Sequence, residues 1–123
     1  MISITKLAIN LTSPLPQLES FSRCLFIGPH PDDIEIGAGA TAAKLAESGK
    51  AVAFLCCIDG RYGSAAVPPE ELIPIRQAEA KASAAALGVS DVRFLPFCDG
   101  GFYDKHELTS AIAKVVGDFK PDV

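Results

Sequence analysis

Short unbroken apolar runs, separated by longer mixed stretches, set the pattern of this chain. Cys24-Leu25-Phe26-Ile27 is bounded by Arg23 and Gly28, and Ala51 to Ile58 closes on the turn signal Asp59-Gly60. Both runs are too short for a helix and lack polar alternation, so each predicts a strand buried on both faces. Val92 to Leu95 predicts a third. Between the first two, Gly37 to Ser48 is rich in Ala, with Lys44 and Glu47 as polar positions and Gly49 as a C-terminal stop, which predicts a helix. A second helix is predicted from Ile75 to Leu87, where Ala78, Ala82, Ala85 and Ala86 form a small-residue face and Gly88 ends it. A third runs from Glu107 to Phe119, with Leu108, Ile112, Val115, Val116 and Phe119 at helical spacing. Pro121-Asp122-Val123 reads as the start of a fourth strand. Arg61 to Pro74, rich in Gly, Ser, Pro and Glu, is expected to be the longest loop and a mobile, substrate-facing segment.

Strands that alternate with helices, each strand a continuous apolar run, imply a parallel sheet covered on both faces. The fold class expected is α/β, a three-layer Rossmann-like fold with a mostly parallel sheet. Ligands of such sheets sit beyond the C-terminal ends of the strands. His30 to Asp33, Asp59 to Ser64 and Asp99 to Asp104 are therefore expected to converge on one rim. Upstream, Met1 to Phe21 alternates only loosely (Ile2, Ile4, Leu7, Ile9, Leu11) and breaks at Pro14 and Pro16. Residues 1–21 are read as an N-terminal extension to a single domain over 22–123.

Composition narrows the choice. At 123 residues, 49% hydrophobic and 21% charged, the chain has core material for one small ordered domain. Its 11 Lys plus Arg against 15 Asp plus Glu give a net charge of −4 with no basic run, which argues against a nucleic-acid partner. No stretch approaches the roughly 18 consecutive apolar residues of a membrane span, and no signal-peptide hydrophobic region builds near the start. A cytoplasmic protein is expected. The cysteines, Cys24, Cys56, Cys57 and Cys98, form no C-x-x-C pair and read as buried reduced thiols.

One stretch changes the picture. Gly28-Pro29-His30-Pro31-Asp32-Asp33-Ile34-Glu35 packs an imidazole and three carboxylates into the six residues from His30 to Glu35, at the end of the first strand. Like charges at such spacing raise one another's pKa, whereas a divalent cation holds them ionised. A metal site is the simplest explanation, and His and Asp are both good zinc ligands. A helix N-cap would account for Asp32 or Asp33, but not for His30 beside both.

His30-Pro31-Asp32-Asp33, with Glu35 and Gly37, then Asp59-Gly60-Arg61-Tyr62-Gly63-Ser64, then Arg76-Gln77-Ala78-Glu79-Ala80, resembles the LmbE-like, or PIG-L, family of zinc-dependent N-acetylglucosamine deacetylases. The resemblance runs from about Cys24 to Val123. It implies a hydrolase that removes an acetyl group from the amide of an amino sugar or its conjugate. By position it makes His30 and Asp33 zinc ligands and Asp32 the general base toward zinc-activated water. Arg76 then binds a carbonyl or acetate oxygen of the substrate, and Asp59 is placed on the substrate side. Each role is chemically sound: zinc polarises a carbonyl and acidifies water, a nearby carboxylate moves the proton, and a fixed guanidinium orients an oxygen-rich group.

The resemblance also implies a second histidine after the fourth strand, whereas this chain stops at Lys120-Pro121-Asp122-Val123. His106, at the start of the last helix, matches a variable family position. The expectation is thus a zinc site whose third protein ligand is not found here, in a domain cut short. A sheet edge left open in that way favours pairing with another chain, so a homo-oligomer is expected.

Two other readings compete. Gly37-Ala38-Gly39-Ala40-Thr41-Ala42 fits the G-x-G-x-x-A of a dinucleotide-binding domain, with Asp59 as its ribose acid. Yet eight residues, three of them carboxylates, separate Gly28 from Gly37. The other is an inactive module that acts through self-association. Single residues carry plain alternatives too: Arg76 paired with Glu79 on a helix surface, Tyr62 and Tyr103 packed on a rim or stacked on a sugar, and Asp59 and Asp99 as turn formers before Gly.

Overall fold

The computed structural model describes residues 4–5 and 17–123. The loose alternation through Leu7, Ile9 and Leu11 lies outside the described residues. A 3-10 turn, Leu18–Ser20, places Leu18 and Phe21 against the hydrophobic core.

The chain then alternates strand and helix: β1 (Arg23–Gly28), α1 (Asp33–Glu47), β2 (Ala51–Ile58), α2 (Pro69–Ala86), β3 (Asp91–Phe97) and α3 (Lys105–Phe119). The three strands form one parallel sheet in the order β1-β2-β3. Register aligns Cys24 with Val52, and Phe26 with Phe54 and Val92, so these side chains share one face. With Ile34, Ala42 and Leu45 of α1, Ala84 of α2 and Val89 they make the core. The other face carries Arg23, Ala53, Leu55 and Arg93. Arg23 and Arg93 both stack on the ring of Phe119, 4.5 and 5.4 Å from its centroid, which seats the end of α3 there. The expected three layers are present, and β2 is buried on both faces, as its unbroken apolar run requires.

Helix α1 begins at Asp33, four residues before the expected Gly37, and α3 at Lys105, two before the expected Glu107; two further boundaries differ from expectation for reasons visible in the sequence. Instead of a loop to Pro74, α2 begins at Pro69, so the segment after β2 is shorter than predicted. Pro69 suits a first helical turn, where its missing N–H is not needed, and Glu70 and Glu71 favour the positive end of the helix. Pro74 lies inside the helix near that end instead of preceding it. Likewise β3 continues through Pro96 to Phe97. Proline is tolerated because, among the described residues, β3 pairs only with β2 and the register slips there: Cys56 faces Phe94, but Ile58 faces Phe97. Helices α1 and α2 end on Gly49 and Gly88 as the sequence predicts.

Pro121 to Val123, expected to open a fourth strand, is not itself a strand but runs alongside β1. Leu25 N–H donates to Val123 O at 2.9 Å and Val123 N–H to Arg23 O at 3.3 Å, the pattern of a parallel ladder on the side of β1 away from β2. Asp122 fixes this approach by accepting the backbone N–H groups of Ser22 (2.9 Å) and Arg23 (2.7 Å). Among the described residues no helix is long and apolar enough to cross a membrane.

Candidate active site

The three predicted stretches meet at the C-terminal end of the sheet. Backbone bonds tie the strand ends together there: Ile58 N–H donates to Pro29 O at 2.7 Å and Asp59 N–H to Phe97 O at 3.0 Å. Pro31 is buried and fills the space beside Gly60, whose own Cβ, if present, would stand 3.2 Å from Pro31 Cδ. Gly60 also holds a φ of 68°, so both its conformation and its lack of a side chain let the two loops touch. Above them opens a cavity of about 260 Å³ lined by His30, Pro31, Asp32, Gly60, Tyr62, Gly63, Arg76 and Asp99.

His30 stands between two carboxylates. Its Nδ1 is 3.4 Å from Asp33 Oδ2, and its Nε2 is 3.2 Å from Asp99 Oδ1. Asp33 Oδ2 also accepts the backbone N–H of His30 at 2.9 Å, which curls the loop into the first turn of α1. As a donor set His30 and Asp33 fit two positions of a zinc site: an imidazole and a carboxylate, adjacent, each about 40% exposed. Among the described residues no group of three His, Cys, Asp or Glu side chains stands ready to hold a metal ion.

Asp32 occupies the N-cap position of α1 without capping it: its side chain bonds no backbone N–H of the helix. It has a φ of 135°, a conformation that residues with a Cβ rarely adopt and that costs on the order of 1–3 kcal/mol. The carboxylate is turned outward to Arg76, whose guanidinium is 2.6 Å from Asp32 Oδ2 and also donates to Pro31 O. Arg76 bonds Glu79 as well, at 2.6 Å. The helix-surface pair and the contact with the site thus coexist, and Arg76 reaches the rim from α2.

Asp59 lies behind the rim rather than on its substrate side. It is buried, and its oxygens are taken by the Arg61 guanidinium (2.7 Å), by the Arg61 backbone N–H and by the Asp99 backbone N–H (each 3.2 Å). Burial alone would raise its pKa; the bonds from Arg61 and the two backbone N–H groups outweigh that and hold the carboxyl below its usual range. Asp99, by contrast, lines the cavity. Its sequence signal is an Asp-Gly after a strand end, the same as Asp59-Gly60, in one of the three stretches expected at the rim.

The cysteines play no part at the surface of this cavity. Cys24, Cys56 and Cys57 are buried and all four are free. Burial, reinforced by Glu35 and other nearby acidic groups, pushes the Cys56 thiol up to about 12. The glycines of the dinucleotide reading are misplaced as well. Gly37 and Gly39 lie inside α1, past its first turn, where their backbone N–H groups are not free to cradle a pyrophosphate.

Comparison with known proteins matches this geometry to one family. A family model described as PIG-L, GlcNAc-PI de-N-acetylase, matches residues 25–123. The 1D-myo-inositol 2-acetamido-2-deoxy-alpha-D-glucopyranoside deacetylase of Kineococcus radiotolerans is 33% identical, over 89% of this chain and 39% of that protein. The diacetylchitobiose deacetylase of Thermococcus kodakarensis is 34% identical, over 98% of this chain and 45% of its own length. Among solved structures, the N,N'-diacetylchitobiose deacetylase of Pyrococcus horikoshii, complexed with its inhibitor MPG, superposes with a TM-score of 0.83 at 28% identity. That match covers 99% of this chain and 49% of that one. The chain therefore spans less than half the length of these relatives.

Proposed function

Because the chain belongs to the PIG-L, GlcNAc-PI de-N-acetylase, family, we propose that its cavity is the active site of a zinc-dependent hydrolase that removes the N-acetyl group from an amino sugar or its conjugate. The supporting observation is the meeting of His30, Asp32, Arg76 and Asp99, drawn from three separated stretches, around one cavity. His30 and Asp33 are the residues that hold the metal. The chemistry a bound Zn²⁺ supplies is polarisation of the amide carbonyl and activation of water near neutral pH.

In this reading Asp32 is the general base: its carboxylate lines the cavity, does not cap the helix, and binds Arg76 through Oδ2, which leaves Oδ1 to take a proton from the attacking water and pass it to the leaving amine. Arg76 directs its guanidinium to an oxygen of the acetyl group or of the acetate released. Asp59, placed by sequence on the substrate side, instead supports Asp99 and Arg61 from behind. The relatives' printed substrates, an inositol-linked acetamido sugar and diacetylchitobiose, support an N-acetylated amino sugar as the substrate class.

The test combines metal content with activity. Stoichiometric zinc in the purified protein, with Asp32→Ala retaining that zinc but losing deacetylation of an N-acetylamino sugar, is the expected result. Protein that takes up no zinc and has no activity supports instead the inactive, self-associating module. Self-association is itself part of the proposal, favoured by the exposed side chains of Ile36 and Phe102, 82% and 109% accessible. A monomer in sedimentation at tens of micromolar overturns that part; cell fractionation tests the proposed cytoplasmic location.

A further inference from the structure

The imidazole of His30 has a carboxylate at each ring nitrogen, and a neutral ring has only one N–H to give. Asp33 Oδ2 already accepts the His30 backbone N–H at 2.9 Å, and its 3.4 Å separation from Nδ1 is long for a second bond. Asp99 Oδ1, at 3.2 Å from Nε2, is the better acceptor. We infer that Asp99 is a positioning residue that holds the Nε2 hydrogen of His30 and so leaves the Nδ1 lone pair on the Asp33 side. The inference rests on the reading of His30 and Asp33 as the metal-holding pair.

Such an outer carboxylate fixes both the tautomer and the orientation of a metal-binding histidine and raises its basicity. Asp99 is suited to the task because it is itself held. Its backbone N–H donates to Asp59 Oδ1 at 3.2 Å, and the Cys98 thiol donates to its carbonyl at 3.3 Å. Asp59 in turn is locked by Arg61, which also reaches Glu70 at the start of α2 at 3.1 Å. A continuous series of bonds therefore runs from α2 through Arg61, Asp59 and Asp99 to the imidazole. The pair of buried Asp59 and half-buried Arg61, otherwise without a role in the reaction, acts as the anchor of this series.

The experiment reads tautomer and metal affinity separately. Long-range ¹H–¹⁵N spectra of the metal-free protein, with His30 assigned by comparison with His106→Gln, are expected to show the Nε2–H form in the wild type. Asp99→Ala is expected to lose that bias and to raise the zinc dissociation constant about 10- to 100-fold. Asp99→Asn, whose amide oxygen still accepts a hydrogen bond, restores most of both. Asp99→Ser keeps a turn-forming side chain too short to reach Nε2 and serves if Asp99→Ala does not fold. An unchanged tautomer together with unchanged zinc affinity in the Ala or Ser variant overturns the role of Asp99 while leaving the metal site standing. A wild type that takes up no zinc, while the tautomer still responds to Asp99→Ala, supports the Asp99–His30 coupling and removes the metal reading instead.

Discussion

Arg76 Nη2 lies 2.6 Å from Asp32 Oδ2, so a residue on α2 grips the carboxylate that α1 leaves outside its own cap. The two positions are 44 residues apart in the chain. Arg76 also bonds Pro31 O and Glu79, three partners that only a planar, multi-donor group can serve together. Arg76→Ala is expected to lower deacetylation about 10²- to 10³-fold. Arg76→Lys, which keeps the charge but not the fork, should recover only a small part of that loss, and steady-state rates on an N-acetylamino sugar are the check.

Asp32→Asn keeps the size of the side chain and removes its basicity. A fall of about 10²- to 10⁴-fold in rate is expected, with zinc content unchanged. Elemental analysis alongside the rate separates this from loss of the metal.

The unusual backbone at Asp32 makes a separate prediction. At most positions Ala is preferred to Gly, but at a φ of 135° the order should invert. Asp32→Gly is expected to be more stable than Asp32→Ala by about 1 kcal/mol, measured by urea unfolding.

Gly28 ends β1 directly beneath the site, and a Cβ there would stand 2.8 Å from Ile34 Cγ1 and 3.4 Å from Asp33 Cβ. Gly28→Ala must therefore displace the first turn of α1. A loss of about 1–3 kcal/mol is expected, together with weaker zinc binding because Asp33 moves; thermal melts with and without zinc test both.

Asp59 links the rim to pH. Its folded pKa is depressed, so its contribution is complete above the unfolded value of about 4 and is lost as pH falls through the folded value. Asp91, held by Arg93, and Asp122, held by the N–H groups of Ser22 and Arg23, act in the same direction. Stability should fall below about pH 4. Asp59→Asn should cost about 1.5–3 kcal/mol at neutral pH and flatten that acid fall, as followed by circular dichroism.

The parts of this site legible in the sequence are those made by neighbours in the chain. His30, Asp32 and Asp33 sit within four residues, and their crowding alone points to a cation. Strand β2 was equally legible, because burial on two faces leaves no polar position to confuse the pattern; β1 and β3 are only partly buried and were read from their apolar runs alone. The rim position of Asp99 was legible from its strand end, but its role was not, because that comes from His30, 69 residues away, and an Asp before Gly reads as a turn whatever it faces. Asp59 carried the same signal and took the opposite place, buried against Arg61. The start of α2 was hidden by Pro74, a breaker by composition that the helix tolerates near its N-terminal end.

The pairing of Val123 with β1 on the side away from β2 has a consequence for where chemistry can occur. Chain order across the sheet reverses at β1: α1 carries the chain to one side of it over one face, while α3 brings the chain back to the other side over the opposite face. The two crossovers diverge at this strand. His30 stands two residues past its C-terminal end. Sheet order therefore places His30 at the end of the strand where the chain's direction across the sheet reverses, the kind of position at which open α/β sheets take ligands, before any side chain has been chosen to line it.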